Sequence, residues 1–462
     1  MTWTGIARRE HRLDGLRYPN RTLADTLARV LARAGRGGTI AGLERLSGGA
    51  SMESWAFTCS DKAYVLRRAP SAEVMAGRPL DHASEAAIIR AARGGGVLAP
   101  EIVAELDPDD GGGSGFVMRH LPGTAAPETA LGEGGAELLD DLAEALATIH
   151  RIDPAAVTVA PLLDPAEGVE ALAAQFAEHG GDRPIIALGL AWLRANLPPP
   201  VAPRLVHGDF RIGNLMTEAG RLTGVLDWEL AHRGDFHEDL AYGCMAVWRF
   251  GRLAAPGFGL GSLENLFAAY AAAGGAPVDP ARFRFWLVYR TVWWALGCLG
   301  MGQTWRSGAD RSLERVVVAR RAPEQELDLL LLLEDEAGEQ ERNRPLPAAQ
   351  PAPSRDSGEP SAAEIVTAVS EWLAGVKGLF TGRERFEHAV ARNALDIVAR
   401  ELVLQPAPHD RTLADDILAG RTTLATPGLL ARLRYATLLK LAADQPKYPS
   451  LAMASEKWAG SD

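Results

Sequence analysis

His207, Asp209 and Asn214 stand within LVHGDFRIGNLM, residues 205–216, a stretch otherwise built of apolar, strand-forming residues. Strongly polar side chains are costly to bury unless they are hydrogen-bonded or bind something. The stretch is therefore either a loop that satisfies its own side chains or a site that does chemistry. The continuation LMTEAGRLTGVLDW reads as a hairpin turning at Glu218–Gly220, and folding it back brings Asp227 beside Asn214. An amide oxygen and a carboxylate that converge in this way suit a hard cation such as Mg2+, which takes oxygen ligands and keeps waters and substrate phosphates. Asp209, five residues before Asn214, then faces a hydroxyl brought to a metal-bound phosphate. Phosphoryl transfer uses those parts: metal-bound phosphates, and a carboxylate that orients the nucleophile and accepts its proton.

Other segments must position these residues. TLADTLARVLARAG (22–35) has a helical pattern ended by Gly, and short strands flank the glycine turn of GLERLSGGASMESWAFTCS. AYVLRRA (63–69) reads as a third strand, SEAAIIRAARGGG (84–96) as a helix with Gly at its C-terminus, and IVAEL and GFVMRHL as two further strands. The chain up to about residue 341 is otherwise mainly helical. A small sheet with an inserted helix, followed by a larger helical region, implies two lobes.

The region resembles the aminoglycoside phosphotransferase-like branch of the protein-kinase-like fold. H-G-D-x-x-x-x-N is similar to that branch's catalytic loop, LDWE (226–229) to its metal-binding strand end, and GDFHEDLAY to its G-D-P-x-x-D-L-A run. LSGGASMESW and YVLRRA resemble the subgroup of phosphotransferase domains fused to acyl-CoA dehydrogenases. The resemblance covers roughly residues 30–335 and implies an α+β, two-lobed fold: a small antiparallel-sheet N-lobe and a mainly helical C-lobe. It makes Asp209 the catalytic carboxylate, Asn214 and Asp227 the Mg2+ ligands, and His207 a brace for the loop. It makes Ser47, Gly48, Gly49 and Ser51 the phosphate-covering turn, and it aligns Arg67 with the usual nucleotide-contacting lysine, with Glu85 as ion-pair partner. Two departures stand out: arginine replaces that lysine, and the two are not interchangeable; and Met52 stands where many relatives carry Asn. Asp235 and Asp239 are expected to hold loops by caps and hydrogen bonds.

The aromatic group Trp286, Tyr289, Trp293, Trp294 and Trp305 has near-helical spacing and is expected mainly in the core, with one or two rings on a pocket. Trp286, Tyr289, Arg290 and Trp294 are the candidate substrate-pocket residues. Arg290 and Arg306 are candidates for an anionic substrate, and His120 for the border of the adenine pocket.

The implied activity is ATP- and Mg2+-dependent transfer to a hydroxyl of a small molecule, with a hydroxyacyl compound or its CoA thioester suggested by the subgroup. The rival reading is a nucleotide-binding regulator of weak activity with a partner-binding helical tail. A protein-kinase reading lacks an A-P-E-like segment after LDWE to build a peptide platform.

Composition sets outer limits. The 462 residues exceed one ordinary core, and the net charge of −11 argues against a general nucleic-acid binder. Three scattered cysteines imply neither a disulfide framework nor a metal site. The start MTWTGIARREH lacks an apolar core, and the apolar runs near 285–301 and 327–333 are too short or charged to span a membrane. The expectation is a cytoplasmic protein with no membrane contact. NRPLPAAQPAPSRDSGEP (343–360) reads as an extended linker. The expected organisation is thus 1–121 N-terminal helix and N-lobe, 122–342 C-lobe with the catalytic loop, 343–360 linker, and 361–462 a C-terminal all-α bundle. In that bundle Ser361 and Glu364 form a capping box, residues 385–402 have one apolar face suited to burial, and Thr426–Pro427 resemble an N-cap and first turn. A protein partner, or self-association, is assigned to this bundle.

Overall fold

The computed structural model describes residues 20–46, 52–75, 77–348 and 359–459. Described residues up to Gly94, with Leu98–Leu121, form one compact unit; Gly95–Val97 and the chain from Pro122 onward form the other.

The first unit is a five-stranded antiparallel sheet in the order β1 (Ile40–Arg45), β2 (Glu53–Cys59), β3 (Lys62–Ala69), β5 (Ser114–Arg119), β4 (Ile102–Glu105). Strand side chains alternate between faces, and that alternation decides the core. Tyr64 and Leu66 of β3, with Phe57 and Val117, pack against Leu23, Leu27, Val30 and Leu31 of the helix Asn20–Arg33. The helix His82–Gly94 buries Glu85, Ala86, Ile88, Ile89 and Ala92.

The second unit is mainly helical and carries two small ribbons. β6 (Arg204–Val206) pairs with β9 (His232–Gly234), and β7 (Leu215–Glu218) with β8 (Arg221–Val225), all antiparallel. Its central element is the long helix Pro280–Arg306, opened by Pro280 in the first turn and by the Asp279 carboxylate, which accepts from the Ala281 N–H at 2.9 Å. It packs against the helices Pro165–His179, Pro184–Ala195, His237–Gly243 and Ala322–Leu333.

The C-terminal bundle begins at the expected capping box, with the Ser361 hydroxyl accepting from the Glu364 N–H and Glu364 accepting from the Ser361 N–H. Two expectations about it need correction. In the helix Gly382–Leu404 only Ile397 and His388 are buried, while Phe386 and Val398 are exposed. The helix packs against Ala362–Val376, Leu429–Asp444 and Leu313–Ala319, and Val390 and Ala394 on its apolar face are half-buried. The other concerns the helix Leu429–Asp444, whose cap is Gly428 rather than Thr426. Gly428 has φ of 77° and gives its N–H to Glu341 at 2.7 Å, a conformation and contact that start the helix two residues later. The last three helices lie against Pro184–Ala195 and Ala322–Leu333. Of the 343–360 segment, residues 344–348 have no regular structure and 349–358 lie outside the described residues.

The architecture is the α+β protein-kinase-like one, with an antiparallel sheet unit, a helical unit and a C-terminal all-α bundle. No described helix is long and apolar enough to cross a membrane.

Candidate active site

The β7–β8 hairpin turns through Ala219 and Gly220, both at positive φ, as tight hairpin turns require. Its open end is closed by the Leu226 N–H, which donates to the Asn214 carbonyl at 2.9 Å. Asp227 follows at once, with φ of 66°, a left-handed backbone that non-glycine residues rarely adopt. The hairpin and this single turn bring Asp227 back to the catalytic-loop stretch.

Asn214 donates through Nδ2 to Asp209 Oδ2 at 2.6 Å and to the Asp209 carbonyl at 3.0 Å. That orientation leaves the amide oxygen of Asn214 available to a ligand. Asp209 is buried, and its other carboxylate oxygen accepts from Arg211 Nε at 2.9 Å. Burial pushes the Asp209 carboxyl above the usual range; the Arg211 charge opposes this and the nearby Asp227 charge adds to it. The Asp227 carboxylate and the Asn214 amide oxygen, with the Asp209 charge close by, are a donor set that fits a hard divalent cation. Among the described residues there is no cluster of three or more His, Cys, Asp or Glu arranged for a metal. The set that fits here is smaller, one carboxylate and one amide, as suits an ion that keeps waters and phosphates.

The loop is held from behind. His207 is fully buried; its Nε2 lies 3.0 Å from the Leu226 carbonyl, and Nδ1 accepts from the Asp209 N–H at 3.2 Å. This pattern needs a neutral ring with the proton on Nε2, and burial lowers the imidazole pKa accordingly. Asp239 accepts from the N–H groups of His207 at 2.8 Å and Gly208 at 2.9 Å, and from His150 Nε2 at 3.1 Å. Asp235 binds His237 Nδ1 at 2.6 Å and Arg282 at 2.9 Å. Gly208 has φ of 80°, and a Cβ there would stand 2.3 Å from the Leu230 carbonyl oxygen, so the middle residue of H-G-D admits no side chain.

In the sheet unit, the pleat separates the two arginines of β3. Arg68 shares a face with Leu66 and is buried against Glu53, at 2.7 Å, and the Gly112 carbonyl. Arg67 points the other way and places Nε 3.2 Å from Glu85 Oε1. Ser47, Gly48, Gly49 and Ser51 lie outside the described residues.

Of the four expected pocket residues, Trp286, Tyr289 and Arg290 are buried and only Trp294 is partly exposed. Arg290 binds Glu238 at 3.2 Å, donates to the Gly208 carbonyl, and lies between the Tyr242 and Trp293 rings, 4.1 Å from each centroid. One of its contacts reaches the H-G-D loop, and the others go to the helix His237–Gly243 and its own helix. Three residues escaped the sequence reading: Arg211 on Asp209; Trp248, whose ring carries the Arg211 guanidinium at 4.3 Å; and Tyr242, whose phenol burial and the Asp209 charge keep protonated. Arg211 was visible as the second residue after Asp209, but nothing local announced its partners.

Residues 42–286 match the phosphotransferase enzyme family. The chain belongs to that family. Among curated proteins, it is 28% identical over 216 residues to acyl-CoA dehydrogenase family member 10 of Mus musculus, covering 43% of this chain and 20% of that one. It is 29% identical over 260 residues to acyl-CoA dehydrogenase family member 11 of Gallus gallus, covering 52% and 32%. The chain thus spans between a fifth and a third of the length of these two relatives. A crystal structure from Ralstonia eutropha JMP134, assigned to the aminoglycoside phosphotransferases, superposes with a TM-score of 0.55 at 20% identity, covering 67% of this chain and 98% of that one. At that identity the likeness speaks for the fold.

Proposed function

We propose that this phosphotransferase-family chain moves the terminal phosphoryl group of ATP to a hydroxyl of a small molecule, with a hydroxyacyl compound or its CoA thioester as the acceptor class. The observation that carries the reading is the convergence of Asp209, Asn214 and Asp227 at the open end of the β7–β8 hairpin. Mg2+, held by the Asn214 amide oxygen and the Asp227 carboxylate, would neutralise charge on the phosphate oxygens. Asp209 orients the acceptor hydroxyl and takes its proton as oxygen bonds to phosphorus and ADP departs. Arg211 and Asn214 hold the carboxylate in one orientation, so little reorganisation is needed at the moment of reaction. In the sheet unit Arg67, steadied by Glu85, supplies positive charge toward the nucleotide phosphates. The acceptor class rests on the similarity to acyl-CoA dehydrogenase family members. A helical bundle that meets a protein partner is the proposed role for residues 361–462.

The experiment compares the wild type with Asp209→Asn and Asp227→Ala for ADP formation over a panel of hydroxy acids and their CoA thioesters. Loss of the base lowers turnover by about 10²–10⁴-fold, and Asp227→Ala abolishes Mg-dependent binding. Wild-type turnover no greater than that of Asp227→Ala defeats the reading.

One observation favours the regulator reading. Both oxygens of Asp209 are already engaged, one by Arg211 and one by Asn214. In that case Mg-ATP raises the melting temperature, yet mass spectrometry finds no phosphorylated product from any member of the panel.

A further inference from the structure

The helix Ala362–Val376 opens the C-terminal bundle and packs chiefly against the helix Gly382–Leu404. That contact is partly polar: the Ser370 hydroxyl donates to Asp396 at 2.7 Å, and the Leu373 carbonyl accepts from His388 Nε2 at 2.8 Å. The larger apolar side chains face the other way. Ile365, Val369 and Trp372 are 53, 44 and 67% exposed, and Leu379, in the turn Lys377–Leu379 that follows, is 78% exposed. Large apolar side chains gathered on one exposed face mark a surface that meets something.

The spacing indicates the occupant. Ala362, Ile365, Val369, Trp372, Val376 and Leu379 follow one another at intervals of three, four, three, four and three. Such intervals form the seam of a helix that packs lengthwise on another helix. They read the same from either end, so a second copy laid antiparallel matches every position. Ala362 then faces Leu379, Ile365 faces Val376, and Val369 faces Trp372, a smaller side chain against a larger one each time. A parallel copy would set Trp372 on Trp372 and Ala362 on Ala362, crowding one layer and leaving another empty. Ala368 and Gly375 border the seam on one side and let the two backbones come close.

Other occupants fit less well. Residues 349–358, QPAPSRDSGE, lie outside the described residues and contain no large apolar side chain that could cover the seam. Glu364 and Glu371 border it and Lys377 is the one base between residues 361 and 379, which disfavours an anionic lipid surface. The exposed seam offers roughly 500 Å2 per copy, so a pair buries on the order of 1,000 Å2, the lower limit for a specific interface.

We propose that the chain forms a two-fold dimer through this seam, with two Ala362–Val376 helices antiparallel and each backed by its own Gly382–Leu404 helix. The proposal rests on the reading that the bundle meets a protein partner and names that partner as a second copy. An interface of this size is reversible, with a Kd on the order of micromolar.

The test uses the full chain and reads mass by light scattering over about 1–100 µM, the range around that Kd. The wild type is expected to pass from one copy to two. Trp372→Glu replaces an exposed side chain, keeps the helical content seen by circular dichroism, and is expected to raise the Kd about thirtyfold or more, the effect of losing a hot-spot residue. The double variant Ile365→Cys, Val376→Cys is expected to give a covalent dimer on mild oxidation. Neither single variant should do so, because residue 365 and its copy lie about 16 Å apart in the antiparallel register, beyond disulfide reach. A wild type that keeps the mass of one copy throughout overturns the proposal and leaves the seam to a different protein or to residues 1–19. Undiminished pairing of Trp372→Glu, or cross-linking by the single variants, overturns it as well. None of these readouts uses turnover, so a failure of the phosphoryl-transfer reading leaves the test intact.

Discussion

His207 and Leu226 are nineteen residues apart in the chain and one hydrogen bond apart in space, with Nε2 3.0 Å from the Leu226 carbonyl oxygen. Through this bond the loop that carries Asp209 is tied to the strand end that delivers Asp227. The ring also packs on Trp228, centroid to centroid 4.5 Å, so it fills volume as well as spending its two nitrogens.

Replacing it removes both contributions. His207→Ala is expected to cost about 2–4 kcal/mol, from the cavity and from the unpaired carbonyl left behind. Turnover falls as Asp209 and Asp227 lose their common support. Urea unfolding of the variant measures the first effect; a loss under about 0.5 kcal/mol would show that the ring does not brace the loop.

Gly208→Ala tests the same loop through its backbone. The added Cβ meets the Leu230 carbonyl oxygen at 2.3 Å, and the residue must keep a φ of 80°. The strain alone is about 1–3 kcal/mol, and relief requires the loop to shift. We expect a lower melting temperature and a fall in turnover larger than any rise in KM, because the displaced group is the neighbouring Asp209.

Arg67→Ala leaves the buried Glu85 carboxylate without its guanidinium, a loss of about 3 kcal/mol. Arg67→Lys keeps the charge and loses the fork, so its cost is smaller. The double variant Arg67→Ala, Glu85→Gln recovers part of the stability if the pair is coupled. Nucleotide affinity should weaken about tenfold or more in Arg67→Ala and not return in the double variant. Unchanged affinity in a folded Arg67→Ala protein removes Arg67 from the nucleotide site.

Asp328 predicts a pH dependence of stability. Burial raises its carboxyl to about 7, with Tyr448, Arg249 and Ser450 opposing and Glu324 adding to the rise. The folded state therefore holds the proton more tightly than the unfolded chain does. The stabilisation is fully present below about pH 4 and is lost as pH rises through 7. Urea midpoints of the wild type should fall, relative to those of Asp328→Asn, between about pH 4 and 7 and run parallel above that. The difference amounts to a few kcal/mol at most, on the order of the shift itself. Parallel curves throughout would mean that Asp328 is ionised in the folded protein across the whole range.

Glu334 anchors the bundle, accepting from Arg434 at 2.5 Å, Lys457 at 2.5 Å and Trp458 Nε1 at 2.9 Å. Glu334→Ala strands the buried Arg434 guanidinium and should cost about 3–5 kcal/mol. Limited proteolysis is expected to cut first within the bundle, and cleavage at wild-type rates would count against an anchoring role.

What could be read from the sequence was local in origin. The order H-G-D-x-x-x-x-N then L-D-W, the hairpin turning at Glu218–Gly220, and the Ser361–Glu364 capping box depend on turn chemistry and hydrogen bonds within a few residues. Strand and helix periods were likewise visible, and with them the sheet unit and the helical unit. Contacts between distant segments were not. VLRRA offered two arginines, and only their faces in the folded sheet separate the one that meets Glu85 from the one buried on Glu53. The same holds for Arg211, which reaches both Asp209 and the Trp248 ring. The apolar stripe of residues 385–402 promised burial, yet Phe386 and Val398 are exposed in the folded chain while Ile397 is buried. Asp328 and Tyr448 meet across 120 residues, and no periodicity records that pairing. Local patterns specify which elements form, through propensity and alternation. Which faces meet is decided by packing, where each side chain's partner, burial and charge come from another part of the chain.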